Sequence, residues 1–189
     1  MNLKAKIDIE ERALRAKQNF LDGYNCCQAV MLAFCDVFET DEQTVATIAS
    51  GFGGGMARMR EVCGTVSAMG MAAGFISPAT RPKNMAERTA NYALVQELAG
   101  EFRKENGSIV CAELLGLRPK REPESPAPSE RTEEYYRKRP CPELVACSAR
   151  IIARKLSGMA LASPDGDSAG HDQADPDSGT TAQQPADVR

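Results

Sequence analysis

Glu61-Val62-Cys63-Gly64-Thr65-Val66-Ser67-Ala68-Met69-Gly70-Met71-Ala72-Ala73-Gly74-Phe75-Ile76 is the stretch on which the fold turns. Gly53, Gly54 and Gly55 ahead of it can hardly be helical together. The helix is therefore expected to start around Arg58 to Glu61 and to run to about Ile76. Its residues are apolar or small around the full circumference, the pattern of a central helix that neighbours approach closely. The uncharged run from Val62 to Thr80 contains Gly, Ser, Thr and Pro78, and its helical part is too short to span a bilayer. It reads as buried, with no membrane span.

The flanking segments carry helical periodicity and capping signals. Roughly Lys4 to Leu21 reads as an amphipathic helix ended by Gly23. Asn25 offers an N-cap to a helix whose Cys26, Ala29, Val30, Ala33, Phe34 and Val37 share one apolar face. Thr40 and Gln43 have capping-box spacing and open a short helix that stops before Gly51. Beyond Pro78 and Pro82, Asn84 with Glu87 starts a long helix with Tyr92, Val95, Ala99 and Phe102 on its stripe, ended by Gly107. Ser108 caps a short helix carrying Cys111, Leu114 and Leu115. Pro119, Pro123, Pro126 and Pro128 then mark a charged, irregular connection. Cys141-Pro142 opens the last helix, with Cys141 as N-cap and Leu144, Val145, Ala149, Ile152 and Leu156 on its stripe.

No strand-like alternation or internal repeat is evident, so the expected class is all-α: a compact bundle of about five to seven helices. One domain over 1–157 suits a chain of 189 residues. The segment 158–189 is rich in Asp, Ser, Gly and Pro and is expected to be a disordered acidic tail. From Ser157 onward it holds six Asp against one Arg, so the formal charge of −3 conceals a slightly basic body. Lys and Arg are scattered rather than clustered with aromatics, which argues against nucleic-acid binding. The charged N-terminus has no signal-peptide core, so the expected location is cytoplasmic. There the seven cysteines would stay reduced, which favours metal binding or reversible redox work over structural disulfides.

Cys26, Cys63, Cys111 and Cys141 each lie within about one turn of an expected helix start. Unpaired N–H groups and the helix dipole favour thiolate there, the form that attacks disulfides and binds metals. Cys141 has the clearest start signal and is the expected principal nucleophile. Cys27, Cys35 and Cys147 have no start signal and read as small buried hydrophobes. No pair among the four has Cys-x-x-Cys spacing, so any shared site must be assembled by folding. Gly53 to Gly55 could cradle an anion, but no P-loop Lys-Ser or Lys-Thr follows, and a steric role is the stronger reading. Arg58, Arg60 and Glu61 read as a solvated rim, and Met56, Met59, Met69 and Met71 as core filling rather than soft-metal ligands. His171 is the single histidine and lies in the tail, which argues against a Cys-His pair.

The run Gly23-Tyr24-Asn25-Cys26, followed by Gln28-Ala29-Val30, resembles the opening of the bacterial C_GCAxxG_C_C family. Phe52-Gly53-Gly54-Gly55-Met56 with Glu61-Val62-Cys63-Gly64 is similar to that family's glycine-loop and central-cysteine block. Gly107-Ser108, Cys111 and Glu113-Leu114-Leu115-Gly116 are similar to its third block, and Cys141-Pro142 with Val145 to its fourth. The resemblance covers approximately Leu21 to Leu156. It implies a small helical protein, the same four cysteines and a redox role. Thr65 and Ala68 stand where the family tends to place Ala and Gly, and both add atoms near Cys63.

The leading expectation is thus a thiol–disulfide exchange site at Cys26, Cys63, Cys111 and Cys141, working with a redox partner protein in a chain that can form a homo-oligomer. An oxidoreductase activity is compatible with this but not required. The alternative is a four-thiolate site for zinc or an iron–sulfur cluster through the same residues. A third reading is a structural or adaptor bundle with inert cysteines.

Overall fold

Asp8 accepts from the Glu11 amide and caps α1, Ile9–Leu21, which buries Arg12, Ala13, Ala16 and Phe20. The computed structural model describes residues 7–117 and 124–162. Asn25 caps α2, Cys26–Leu32, through a capping box: its Oδ1 accepts from the Cys27 and Gln28 amides while Gln28 Oε1 accepts from the Asn25 amide. Where one helix was expected to continue, the chain breaks into a separate α3, Cys35–Phe38. The Ala33 and Phe34 amides bond three residues back, and Arg12 Nη1 takes the Ala33 carbonyl at 2.7 Å.

Helix α4 spans Glu42–Ala49 and is capped by Asp41, one residue after the expected Thr40. A 3-10 turn, Ser50–Phe52, leads into the glycine segment. Helix α5, Gly64–Ile76, starts later than expected. Gly54, Gly55, Met56, Ala57, Arg58 and Arg60 all have positive φ, which excludes a right-handed helix over this stretch. Residues 60–63 instead pair with 109–112: Cys63 N–H donates to Ile109 O at 2.8 Å, Cys111 N–H to Glu61 O at 2.7 Å and Ala112 N–H to Arg60 O at 3.1 Å. Val62 and Val110 form an isolated antiparallel bridge.

Asn84 caps α6, Met85–Asn106, and Gly107 closes it in the left-handed region, both as the sequence implies. Its buried stripe is Leu94, Leu98 and Phe102, whereas Tyr92 is exposed. The stripe is rotated because α6 lies on α5 and α9, with Asn91 Nδ2 clasping Ser77 O at 2.8 Å and Lys155 reaching Glu97 at 2.7 Å. Helix α7, Cys111–Leu114, has Val110 at its N-cap, while Ser108 Oγ accepts from the Val110 amide. Helix α8, Glu133–Arg137, lies in the stretch read as irregular. Helix α9, Cys141–Ala162, starts with Cys141 as its first residue and continues past the expected domain edge at 157. Of the tail expected over 158–189, residues 158–162 instead continue α9, and those from 163 onward lie outside the described residues.

The fold is all-α, with nine α-helices and no strand among the described residues; three of them, α3, α7 and α8, have four or five residues. Helices α1 and α9 form the most extensive pair, with α2 and α5 packed beside them. One apolar core joins Phe20, Val30, Phe34, Met69, Leu98, Phe102, Val145 and Ile152. No described helix is long and apolar enough to cross a membrane.

Candidate functional site

Each of the four cysteines occupies a helix start. Cys26, Cys111 and Cys141 are first residues of α2, α7 and α9, and Cys63 is the N-cap of α5. All four line a single partly open cavity of about 280 Å³, together with Asn25, Arg58, Arg139 and Tyr135.

Tight backbone contacts draw these starts together. A Cβ on Gly64 would lie 2.7 Å from Phe52 O and 3.3 Å from Cys26 Cβ, so α5 meets the Ser50–Phe52 turn at a spacing only glycine permits and crowds α2 closely. A Cβ on Gly55 would lie 2.6 Å from Cys111 Cβ, and its φ of +68° is also one that side chains disfavour. The paired segments at 60–63 and 109–112 hold Cys63 and Cys111 in register. Asn25 completes the frame: beyond capping α2, its Nδ2 donates to Ser50 O at 3.0 Å. Ser148 Oγ donates to Thr65 O at 2.9 Å and ties α9 to α5.

Placement at helix starts was expected to favour thiolate, but burial outweighs it at Cys63, Cys111 and Cys141. Burial, followed by charge on Cys26, pushes Cys63 and Cys141 up to about 12. Burial also raises Cys111, against the opposing pull of Arg60, whose Nη1 lies 4.0 Å from its Sγ. A helix N-terminus contributes only about 0.3–1 kcal/mol, less than a tenfold change in ionisation, and two of these helices barely exceed a turn or two. Burial thus works against the expectation that Cys141 is the principal nucleophile. Across Cys63, Cys111 and Cys141, the charge of Cys26 is the foremost cysteine contribution opposing ionisation.

Thr65 Oγ1 lies 3.2 Å from Cys63 Sγ, and this contact favours the Cys63 thiolate against burial. The extra atoms at that position are thus hydrogen-bonded to the thiol rather than wedged against it. Cys27, Cys35 and Cys147 stay outside the cavity. Cys27 Sγ is 3.7 Å from Met71 Sδ, Cys35 Sγ donates to Met31 O, and Cys147 Sγ donates to Glu105 at 3.2 Å. Among the described residues, no three His, Cys, Asp or Glu side chains are grouped closely enough to hold a metal ion. The four thiols have suitable chemistry for zinc or iron–sulfur ligation, but their placement does not form that site.

Sequence reasoning missed the wall from the 124–139 connection. Arg58 and Arg60 reach Glu124 at 3.3 and 2.6 Å, so this rim is half-buried ion pairing rather than a solvated edge. Arg131 Nη1 donates to Phe20 O and Tyr24 O at 2.8 and 2.9 Å, and its guanidinium covers the Phe20 ring. Arg139 lies over the Tyr135 ring at 4.6 Å. The available signal was the basic run Arg137-Lys138-Arg139, separated from Cys141 only by Pro140.

Four cysteines in this order, at four helix starts around one cavity, agree with a match over residues 24–155 to the family described as "Putative redox-active protein (C_GCAxxG_C_C)". The chain belongs to that family. No curated protein and no solved structure matches it. The family match spans all four cysteines and the glycine segment between Phe52 and Gly64, and it stops within α9.

Proposed function

We propose that this member of the family is a thiol–disulfide exchange protein, with Cys26 attacking and a neighbouring thiol resolving. The observation that carries the reading is the convergence of four thiols on one cavity in which charge on Cys26 opposes ionisation of the other three. Burial holds the neighbouring thiols protonated, and a thiolate on Cys26 adds to that. When Cys26 attacks a disulfide, its charge leaves with the departing thiolate, and the mixed disulfide is neutral. A neighbour then ionises more readily, attacks the Cys26 sulfur and releases the second half of the substrate. The site thereby carries one electron pair per cycle.

Equilibration of the reduced chain in a series of dithiol–disulfide buffers, with acid-quenched thiol counting, tests this. The expected result is a two-electron transition that removes two of the four cavity thiols and is abolished by Cys26→Ser. Four cavity thiols that stay reduced in every buffer, in a chain whose unfolded form oxidises, would overturn it. One equivalent of bound zinc or iron with the same thiols blocked until chelation would replace it with the metal reading.

A further inference from the structure

We infer that the cavity selects a small carboxylate-bearing disulfide, with Arg139 as the group that receives the carboxylate. The inference rests on the exchange chemistry proposed above and names its substrate class. Arg58, Arg60, Arg131 and Arg139 line the cavity together with the four thiols, and no Asp or Glu is part of that lining. Glu124 offsets charge there and pairs with Arg58 and Arg60. Arg131 is held by two neutral carbonyls, and its charge meets no carboxylate among the described residues. Arg139 rests on the face of Tyr135 and has no carboxylate partner among the described residues. Its charge reaches the reacting sulfurs, since it favours ionisation of both Cys111 and Cys141.

Size and wall chemistry narrow the occupant. About 280 Å³ is at the small end of ligand sites, suited to a short molecule rather than a folded partner's loop. Phe20, Leu114, Pro126 and Leu144 add apolar surface to the same lining, which suits a short methylene chain. A guanidinium stacked on an aromatic face presents its N–H fork in a fixed direction, the arrangement that matches a carboxylate. In the reaction the substrate S–S bond breaks and one protein S–S bond forms. Two electrons pass from the protein thiols to the substrate, which leaves as two thiols carrying the two protons.

The test compares three small disulfides of similar length with the fully reduced chain: 3,3′-dithiodipropionate (dianionic), bis(2-hydroxyethyl) disulfide (neutral) and cystamine (dicationic). Each rate of thiol loss is divided by the rate of the same disulfide with a free small thiol, which removes intrinsic reactivity. The expected order is anionic over neutral by about tenfold at low salt, with cystamine slowest and the preference shrinking as salt rises. Arg139→Gln should bring the anionic-to-neutral ratio close to one, and Arg139→Lys should restore part of it. Equal normalised rates for all three, or an anionic preference that persists in Arg139→Gln, would overturn the inference and leave exchange standing. No reaction with any of them, in a chain that reacts once unfolded, would instead overturn the exchange reading on which it rests.

Discussion

Gly55 stands against Cys111 with no room for a side chain, and it adopts a left-handed backbone as well. Gly55→Ala should therefore destabilise the fold by at least about 1–2 kcal/mol from handedness alone, before the clash with Cys111 is added. Urea denaturation measures this, and the same substitution at Gly51, which has open space around it, is the control. Thr65 carries a second residue-scale prediction. Thr65→Val removes the hydroxyl beside Cys63 but keeps the shape, so Cys63 should titrate higher still, as read by alkylation rate against pH. The cysteine positions were legible because capping chemistry is local: Asn25 before Cys26 and Pro142 after Cys141 announce helix starts in the sequence itself. Their ionisation was not legible, because burial depends on residues such as Tyr135 and Leu144 that arrive from far along the chain.

At the scale of elements, the break between α2 and α3 depends on Arg12 from α1. Its guanidinium takes the Ala33 carbonyl and grips both oxygens of Asp36 at 2.6 and 2.7 Å. Arg12 is buried while Asp36 is half exposed, so removing the carboxylate leaves a buried cation with one neutral acceptor. Asp36→Ala should cost about 2–3 kcal/mol, well above the 0–1 kcal/mol of an exposed pair, in equilibrium denaturation. Asp36 is also held below its ordinary pKa by Arg12. Its contribution is thus full above the unfolded value near 3.8 and is lost as pH falls through the lower folded value. Helices α1, α6 and α9 were readable from period and caps. The left-handed run from Gly54 to Arg60 was not, since Met56, Ala57, Arg58 and Arg60 have no intrinsic preference for it. Bonds within the loop, such as Ala57 N–H to Gly51 O and Arg60 N–H to Gly54 O, accompany it, and the pairing of 60–63 with 109–112 that anchors its end is announced by no local pattern.

For the whole molecule, the thiols make stability fall in alkali. Cys27, Cys63 and Cys141 are pushed up to about 12 and Cys147 to about 11, from an ordinary value of 9.0. The folded state therefore binds protons that the unfolded chain has released. This contribution is full below about pH 9 and is lost as pH rises through 11 to 12. The denaturation midpoint of the reduced chain should drop steadily above pH 9. In Cys147→Ala, that drop should shrink.

The cavity takes its thiols from helix starts spread between Cys26 and Cys141, and α9 closes it by packing on α1 and α5. Translation delivers these pieces in order. Cys26, Cys63 and Cys111 leave the ribosome before the helix that completes their shelter has been made. During that interval they meet any oxidant without the arginine wall or the burial that later governs them, so the hazard of wrong pairing is greatest in the nascent chain and ends when α9 docks.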